Sequence, residues 1–555
     1  MIKQKLKLGL ISLLLLCSLV APANLPAQLQ QPQRERRTVV PSTPTPTPAP
    51  TPSPTPLPVA SPVPGPSPRL AQTTRTQEEL QSRIKEILQK SELTAAMVGI
   101  KVASLDTGRV LFDENSEKLL RPASNMKLYT VAAALDRLSP DYRFNTSVYA
   151  AARPDAAGIL HGDLTIYGRG DPSIAARFNN GDYFKGINEL ASRIAAAGVK
   201  RVEGDLVGDE TYFIGPQYGS GWSWEDLQWW YGAEVSALTI NDNALDLSVK
   251  PGSTVGATAI ITTGPPDPLL TVLNRVTTGA KGSKRNLTLH RGLNTNVIEI
   301  NGSLPLDDRG YTAGIGISHP ALLFVYLLRS SLAQRGIIVT GKSRVTTAPA
   351  YANGPELQSP TTSIEIASLQ SVPFSIVAAQ TLKPSQNLYT ELILRTLGKV
   401  VPPPTTSVNT VRTSEDAGLE VVKTFLKEAG VNANLALSDG SGLSRNDMVT
   451  AEATLQLLIY MNRHRHAAVF RESLPVAGVD GTLRNRMRGT VAENNVRAKT
   501  GSLSSAASLG GYLTTAAGEN LVFSIMVNNY PPDTDVRSVC IDPITVLLAS
   551  FAGRS

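Results

Sequence analysis

The spacing of apolar residues changes several times along this chain, and each change predicts a different structure. An apolar run, "LGLISLLLLCSLV" (8–20), follows three lysines at the N-terminus. Folded sequence begins near Thr76, which stands in capping-box spacing with Glu79. The next apolar residues recur at helical intervals and predict an amphipathic first helix: Leu80, Ile84, Ile87 and Leu88.

The segment that follows reads as strand, turn and strand, and then as a buried helix. "AAMVGIKVASLDTGRVLFDENSE" (95–117) contains two apolar runs around a turn at residues 106–108. A helix then opens at Ser124, and its continuation "LYTVAAALDRL" (128–138) is apolar on nearly every side. A helix of that kind is expected to be buried.

From residue 145 to 357 short strand-like runs alternate with Gly and Asp turns. This alternation of strand-like runs and turns predicts one or two mainly β inserted domains, with a single helix near residues 183–199. Helical sequence is expected again at three places: 363–398, 414–430 and 448–463.

The C-terminal part predicts a β-hairpin with its turn at residues 517–520. Its strands and the N-terminal strands would naturally share one antiparallel sheet flanked by helices. The expected fold class is therefore α+β, with a discontinuous core that is closed around an insertion. The core would comprise residues 73–144 and 358–555, and the insertion residues 145–357.

The first 72 residues have the composition of a targeting segment and a spacer. Lysines, the apolar run and the small residues "APA" make residues 1–23 a signal peptide, with an uncleaved anchor as the alternative. Residues 24–72 are rich in alternating proline and are expected to be a disordered, extended linker. This organisation predicts secretion across the inner membrane to the periplasm or the cell wall.

Composition narrows the class of protein further. Hydrophobic residues make up 42% and charged residues 18% of the 555 positions, as in globular proteins. The net charge of +7 is not organised into a basic stripe with aromatics, which argues against a nucleic-acid partner. Of the two cysteines, Cys17 lies in the signal segment, so Cys540 has no partner for an internal disulfide and is expected in the core.

The decapeptide "RPASNMKLYT" (121–130) raises the first question of chemistry. Ser124 could cap the helix that follows, or it could be a nucleophile with Lys127 as its base. A lysine three residues on lies on the same helical face. To accept a proton, that lysine must have its pKa lowered by burial or by a second cation nearby. The nucleophile hypothesis therefore predicts a buried polar pocket with another positive charge.

Other solutions for hydrolysis are not supported by the sequence. No G-x-S-x-G elbow, no H-E-x-x-H helix and no phosphate-binding loop occurs, so neither a metal nor a cofactor is predicted. The chain contains a second S-x-x-K, formed by Ser82 and Lys85. It lies in the middle of the first helix among charged residues, which indicates a solvated surface.

Two further motifs favour the nucleophile. S-x-x-K, an S-x-N triplet and K-T-G form one set in penicillin-binding proteins and related β-lactamases. "KTG" (499–501) is the only K-T-G in the chain. The triplet has two candidates, residues 385–387 and residues 444–446, and local sequence does not choose between them.

From about residue 76 to its end, the chain resembles the class C low-molecular-mass penicillin-binding proteins, which are D-Ala-D-Ala carboxypeptidases and endopeptidases. The resemblance rests on "RPASNMKLYT", "GDLTIYGRGDPSI", "YGAEVSALTINDN", "KPSQNLYTELILRTLG", "LSDGSGLSRND" and "RAKTGSLSSAASLGGY". It implies a penicillin-binding/β-lactamase-like serine transferase core, and the long insertion is itself typical of this class. It also implies that Ser385 and Asn387 form the catalytic triplet, while Ser444 is structural or lines the cleft.

The resemblance assigns a role to each catalytic residue. Ser124 would attack the carbonyl of the penultimate D-Ala, with Lys127 accepting its proton. Ser385 would relay a proton to the leaving amine, and Asn387 would bind the substrate amide and orient Lys127. Lys499 would be the second cation.

The K-T-G strand is implied to bind the substrate. Thr500 and Lys499 would hold the terminal carboxylate, with Gly501 completing the motif. The backbone N–H groups of Ser124 and Ser502 would form the oxyanion hole. No cofactor is implied.

The segment "GWSWEDLQWWYGAEVSAL" (221–238) combines tryptophans with acids. It could be the aromatic core of the insertion, or it could form a pocket for the stem-peptide side chain. In the second case Glu225 or Asp226 would meet a diamino-acid ammonium. The family uses an acid and aromatics from this region, without a residue-by-residue match here.

Two rival functions share much of this sequence pattern. A β-lactamase would need a device that hydrolyses the acyl-enzyme, and no E-x-x-L-N pattern occurs between Asn387 and Lys499. A non-catalytic wall-binding protein would not need both lysines. The expected partners are therefore peptidoglycan stem peptides and β-lactam antibiotics as covalent inhibitors, with membrane contact only through an uncleaved signal segment.

Overall fold

The computed structural model describes five stretches of the chain: 73–265, 267–348, 363–401, 412–431 and 435–555. The signal peptide predicted at 1–23 and the linker predicted at 24–72 lie outside these described residues. No described helix combines the length and the hydropathy that a membrane crossing requires.

Strands and helices follow one another in long blocks. The strands are β1 (Met97–Ser104), β2 (Val110–Glu114), β3 (Asn145–Ala150), β4 (Ile159–Leu160), β5 (Leu164–Tyr167), β6 (Arg201–Val202), β7 (Leu206–Asp209), β8 (Ala244–Lys250), β9 (Ile260–Gly264), β10 (Thr271–Gly279), β11 (Asn286–Arg291), β12 (Val297–Pro305), β13 (Tyr311–Gly316), β14 (Ile338–Val339), β15 (Ser343–Thr346), β16 (Ile364–Gln370), β17 (Arg497–Leu503), β18 (Ala506–Thr514) and β19 (Asn520–Asn528). The helices are α1 (Gln77–Leu88), α2 (Met126–Leu138), α3 (Lys185–Ala196), α4 (Pro320–Gln334), α5 (Phe374–Leu382), α6 (Asn387–Val400), α7 (Ser414–Glu428), α8 (Ala451–Arg463), α9 (Ala467–Glu472) and α10 (Asp542–Ala549).

The core is built on one antiparallel sheet with the strand order β17-β18-β19-β1-β2. Strand β1 pairs with β19 along its whole length, from Met97 opposite Asn528 to Ser104 opposite Leu521. The two ends of the folded chain therefore meet in one sheet, as the sequence predicts. The hairpin turn falls between β18 and β19, and Asn520 already belongs to β19.

Helices cover both faces of this sheet. On one face α1 and α10 pack in an apolar cluster that includes Cys540, whose thiol pKa is raised by burial to about 12. On the other face α2 lies among α5, α6, α7, α8 and α9. All residues of α2 from Met126 to Leu135 are buried, which confirms the prediction from its apolar sequence.

The N-terminus of α1 confirms the predicted cap. Thr76 Oγ1 accepts a hydrogen bond from the Glu79 backbone N–H at 3.2 Å. The carboxylate of Glu79 reaches back to the Arg75 N–H instead of the Thr76 N–H. The Thr76 side chain therefore satisfies one of the N–H groups that a helix start leaves without a partner, whereas the reciprocal bond of a capping box is made to the preceding residue.

The insertion has its own apolar core, separate from the clusters that flank the central sheet. Its principal sheet has the order β15-β7-β5-β3-β16, and its smaller sheets have the orders β14-β6-β4, β13-β8-β9 and β10-β12-β11. It contacts the core where Phe213 and Val235 pack against Leu388 and Leu392 of α6. This contact places the insertion beside the helix that begins with the S-x-N triplet.

Two predictions about the insertion are wrong. Residues 364–370 were expected in helical sequence, but they form β16, which pairs antiparallel with β3. The sheet of the insertion therefore extends beyond residue 357. A single helix was expected near residues 183–199, but the described part also contains α4, whose apolar side chains fill the same core as α3.

Candidate active site

Ser124 lies in a short 3-10 turn, Ala123–Asn125, that leads into α2. No side chain caps α2, so Ser124 is not a helix cap. Its side chain is buried at 4% exposure, and its Oγ accepts a hydrogen bond from Lys127 Nζ at 3.0 Å. This is the nucleophile–base contact that serine catalysis requires.

Lys127 is fully buried and reaches three oxygen acceptors. Its Nζ lies 3.0 Å from Ser124 Oγ, 2.5 Å from Asn387 Oδ1 and 2.6 Å from the Ser441 carbonyl oxygen. A neutral amine has two N–H groups and one lone pair. In the neutral form of Lys127 the two carbonyl-type oxygens, which can only accept, take these two N–H groups. The lone pair then faces Ser124, and the hydrogen bond between the two side chains reverses so that the Ser124 hydroxyl donates.

The second lysine of the predicted set, Lys499, contacts the serine of the S-x-N triplet. Lys499 on β17 is fully buried, and its Nζ donates to Ser385 Oγ at 2.9 Å and to the Thr500 carbonyl at 2.7 Å. Ser385 has a φ of +65°, in the left-handed region that non-glycine residues adopt rarely. This turn precedes α6 and carries the hydroxyl to Lys499.

Asn387 is the first residue of α6 and joins the core to the insertion. Its Oδ1 accepts from Lys127, and its Nδ2 donates to the Tyr231 carbonyl at 2.8 Å. The S-x-x-K motif, the S-x-N triplet and the segment at 221–238 therefore meet at the Asn387 side chain.

The K-T-G strand passes close to the turn that carries Ser124. A Cβ on Gly501 would lie 2.5 Å from the Pro122 carbonyl oxygen and 2.2 Å from Ser508 Oγ, so only glycine fits. Thr500 donates from Oγ1 to Thr482 Oγ1 at 2.7 Å. Ser502 follows on the same strand, opposite Ala507 of β18.

The two acids of the tryptophan-rich segment have different environments. Glu225 is exposed. Asp226 is buried, and its carboxylate pairs with Arg445 at 3.0 Å and accepts from the Tyr231 hydroxyl at 3.3 Å. Tyr231 in turn contacts Asn387, so Asp226 lies near the site but already has a cationic partner.

The two alternative serines occupy non-catalytic surroundings. Ser82 and Lys85 of the second S-x-x-K are exposed on α1. Ser444 is buried, and its Oγ accepts from the Asn446 backbone N–H at 3.2 Å. Within the described ranges, no group of three His, Cys, Asp or Glu residues is placed to hold a metal ion.

Comparison with known proteins decides the family. The model of the D-Ala-D-Ala carboxypeptidase 3 (S13) family matches residues 80–551. This chain belongs to the S13 family. The match spans both parts of the core and the insertion between them.

Relatives of this S13 chain match over most of their length. It is 36% identical over 490 residues to the D-alanyl-D-alanine carboxypeptidase of Actinomadura sp. (strain R39), covering 86% of this chain and 85% of the relative. It is 26% identical over 447 residues to the D-alanyl-D-alanine carboxypeptidase DacB of Haemophilus influenzae, covering 78% and 85%. The crystal structure of penicillin binding protein 4 from Haemophilus influenzae has the same fold, with a TM-score of 0.70, 22% identity, and coverage of 85% of this chain and 99% of that one.

These matches confirm three predictions made from the sequence: the low-molecular-mass penicillin-binding family, the α+β fold class with inserted domains, and a serine-type D-Ala-D-Ala carboxypeptidase activity. The assignment of individual roles to Ser124, Lys127, Ser385, Asn387 and Lys499 remains a prediction. The geometry brings all five side chains into direct contact with at least one other member of the set.

Sequence reasoning missed the backbone groups of the S13 site. The carbonyls of Ser441 and Tyr231 contact Lys127 and Asn387, but any residue type supplies a carbonyl. The signal that existed was "DGSG" (439–442), whose glycines allow a tight loop. Gly442 has a φ of +75°, and a Cβ there would lie 1.8 Å from the Ala123 carbonyl oxygen.

Buried acids surround the far side of this loop. Burial and the Asp439 carboxylate raise the pKa values of Glu391 and Asp447 well above their usual range. Burial also raises the pKa of Glu415 to about 7. These groups therefore favour the protonated, neutral form behind a loop that faces Lys127.

Proposed function

We propose that this S13 enzyme hydrolyses the D-Ala-D-Ala terminus of peptidoglycan stem peptides through an acyl-enzyme on Ser124. The observation that carries this proposal is the 3.0 Å contact between Lys127 Nζ and Ser124 Oγ, in a pocket where both residues are buried. The same chemistry on a cross-linked peptide would give endopeptidase activity.

Acylation begins with proton transfer from Ser124 to the neutral amine of Lys127. Ser124 Oγ then forms a bond to the carbonyl carbon of the penultimate D-Ala, and the C–N bond to the terminal D-Ala breaks. Ser385, held by Lys499 at 2.9 Å, relays the proton that Lys127 accepted to the leaving amine, which returns Lys127 to the neutral amine. Water afterwards hydrolyses the ester and returns the Ser124 hydroxyl.

Substrate binding would use the K-T-G strand. Lys499 supplies positive charge and Thr500 a hydroxyl for the terminal carboxylate, and a charge-assisted hydrogen bond contributes about 1.5–3 kcal/mol. The close fit at Gly501 holds this strand beside Ser124. The N–H groups of Ser124 and Ser502 are the candidate oxyanion donors, each worth about 3 kcal/mol in the transition state.

The stem-peptide side chain is proposed to lie against residues 221–238. Asp226 is supported by its link through Tyr231 to Asn387, although an incoming ammonium would have to share its carboxylate with Arg445. Glu225 is available at the surface for the same ammonium. An Asp226→Asn variant that kept its preference for a diamino-acid substrate would exclude this pocket.

β-Lactams are proposed as covalent inhibitors, because they present a reactive carbonyl to the same serine. The structure of penicillin binding protein 4 from Haemophilus influenzae has been solved in complex with a novel β-lactam. We place the enzyme outside the inner membrane, in the periplasm or the wall. Residues 1–23, with their lysines and short apolar run, support this location.

The test follows intact mass with time after penicillin is added to the full chain. The parent and Ser82→Ala should form a stable one-to-one adduct and release D-Ala from a peptide that ends in D-Ala-D-Ala. Ser124→Ala should do neither. Ser82→Ala is the matched control, because it removes the serine of the other S-x-x-K.

The remaining outcomes separate the rival functions. An adduct that disappears as fast as penicillin is consumed would indicate a β-lactamase. A parent chain that forms no adduct and consumes no penicillin would contradict the mechanism and leave a non-catalytic wall-binding protein.

A further inference from the structure

The carboxylate of Asp439 gathers hydrogen-bond donors from one whole loop. Asp439 is fully buried between α6 and the S13 site. Donors from its own loop and from the insertion converge on its two oxygens: Ser441 N at 3.1 Å, Ser441 Oγ at 2.9 Å, Gly442 N at 2.7 Å, Leu443 N at 3.1 Å, Ser444 N at 3.0 Å and Trp222 Nε1 at 2.8 Å. A buried carboxylate with this many donors fixes the course of the backbone around it.

The loop that Asp439 fixes reaches the general base directly. Ser441 donates to Asp439 through its N–H, and its carbonyl accepts from Lys127 Nζ at 2.6 Å. This carbonyl is one of the two acceptors that leave the lone pair of a neutral Lys127 facing Ser124. A shift of the loop would therefore turn the amine away from the nucleophile.

Two further acids, Glu391 and Asp447, are buried beside Asp439. The pKa values of Glu391 and Asp447 are raised by burial and by the Asp439 carboxylate. Both carboxylate oxygens of Asp439 accept hydrogen bonds. In contrast, Glu391 Oε2 and Asp447 Oδ2 have no hydrogen-bond partner among the described residues. Neutral acids next to a charged one avoid like-charge repulsion in a buried space.

We propose that Asp439 is a positioning residue for acylation: it holds the Ser441 carbonyl against Lys127, and Trp222 extends this hold to the insertion. The inference rests on the proposed function, because it assumes that Lys127 activates Ser124. Asp439 acts through Ser441, whose N–H donates to its carboxylate and whose carbonyl accepts from Lys127.

The decisive variant is Asp439→Asn in the full chain. Either orientation of the amide turns an –NH₂ group toward backbone N–H donors, because both carboxylate oxygens accept from backbone N–H groups. With penicillin as probe, the first-order acylation rate constant should fall by about 100-fold, the effect of a small misplacement of a catalytic group. The dissociation constant of the non-covalent complex should change by less than about threefold.

Asp447→Asn is the matched control, because it replaces a neighbouring buried acid that contacts Ser438 and Asp439 but not the Ser441 peptide. It should keep the parent acylation rate. The fraction of protein that finally becomes acylated counts the folded molecules in each sample. A merely structural defect would lower this fraction and leave the rate constant of the remainder unchanged.

If Asp439→Asn gives no protein that can be acylated, Trp222→Phe tests the positioning role of Asp439 instead. It removes one donor and retains the aromatic bulk, so the acylation rate constant should fall by about threefold to tenfold. The proposal would be overturned if Asp439→Asn were fully acylated at the parent rate constant. If Asp439→Asn does not fold, the same result for Trp222→Phe would overturn it. A parent chain that is never acylated would instead contradict the proposed function.

Discussion

Asn387 shows how single atoms orient this S13 site. Lys127 approaches its Oδ1, and the Tyr231 carbonyl lies at its Nδ2. Lys127 donates an N–H to the amide oxygen and the Tyr231 carbonyl can only accept, so the two partners fix the amide in one orientation. The side chain thereby links Lys127 to the insertion.

Asn387→Asp tests this orientation at the residue scale. A carboxylate there would hold Lys127 in its ammonium form, which cannot accept the Ser124 proton. It would also turn an oxygen toward the Tyr231 carbonyl. We expect acylation by penicillin to fall by at least about 100-fold at pH 7 and to recover partly as the pH rises. Measuring the acylation rate from pH 6 to 10 checks this.

The Asn446→Asp variant serves as its control, since it makes the same change in the S-x-N triplet at residues 444–446. Its acylation at pH 7 should exceed that of Asn387→Asp by a wide margin. Equal rates for the two variants would contradict the assignment of the catalytic triplet.

Residue identities could be predicted where chemistry demands a particular side chain. Ser124, Lys127 and Lys499 belong to that group, because only a hydroxyl and two amines fit the mechanism. The Ser441 carbonyl and the Asp439 contacts could not be predicted in this way, because the backbone groups are the same in every residue. Their placement depends on a loop course that only the folded chain defines.

At the scale of elements, α6 is tied to the insertion behind the catalytic triplet. Tyr389 of α6 donates its hydroxyl to Asp242, which also pairs with Arg177 at 3.0 Å. Asp242 lies in a run of three residues with positive φ, Asn241 to Asn243. Buried partners on both sides therefore hold a conformation that non-glycine residues rarely adopt.

Tyr389→Phe should weaken this tie. It leaves a buried carboxylate oxygen without its hydroxyl donor, which costs about 1–3 kcal/mol of unfolding free energy. Urea unfolding followed by tryptophan fluorescence measures the difference. Tyr326→Phe on α4 is the control, because Tyr326 is 36% exposed and the same loss of a hydroxyl should have little effect. Equal losses in the two variants would exclude a specific role for the Asp242 contact.

The wrong element predictions have physical reasons. The sequence of α4 is apolar on most sides and lies between short strands, so its apolar pattern does not distinguish a buried helix from a buried strand. Pro320 in its first turn is the helix-start signal. The sequence of β16 is short and weakly alternating, with only Ile366 and Leu369 buried. Pairing with β3 fixes it as a strand, and that partner lies far away in sequence.

Across the whole molecule, acids with raised pKa values lie in the insertion as well as in the core. Burial raises the pKa of Asp171 to about 6 and that of Glu210 to about 7, while Glu415 of the core also reaches about 7. A raised native pKa means that the folded state binds the proton more tightly than the unfolded state. The contribution of these groups to the unfolding free energy is therefore greatest at low pH and falls between about pH 4 and pH 7.

Glu210→Gln should remove one such contribution. Above pH 7 the parent holds a buried carboxylate there, so the variant should be more stable by on the order of 1–3 kcal/mol at pH 8. Near pH 4 the parent group is neutral and the two chains should be almost equal. Urea unfolding at both pH values measures this. Glu117→Gln, at an exposed position, should show no such pH-dependent difference, and a constant offset for Glu210→Gln would contradict the assignment.

The pairing of β1 with β19 also sets the order in which a growing polypeptide can become active. Ser124, the proposed nucleophile of the S13 site, lies on the early part of the chain, whereas Lys499 and β17, β18 and β19 are synthesised late. A nascent chain that already carries Ser124 has neither its second lysine nor the sheet partner of β1. Long-range pairing of this kind is slow to form. The peptidase is thus expected to remain inert throughout its own synthesis, because the proposed catalytic residues come together only when the final strands are in place.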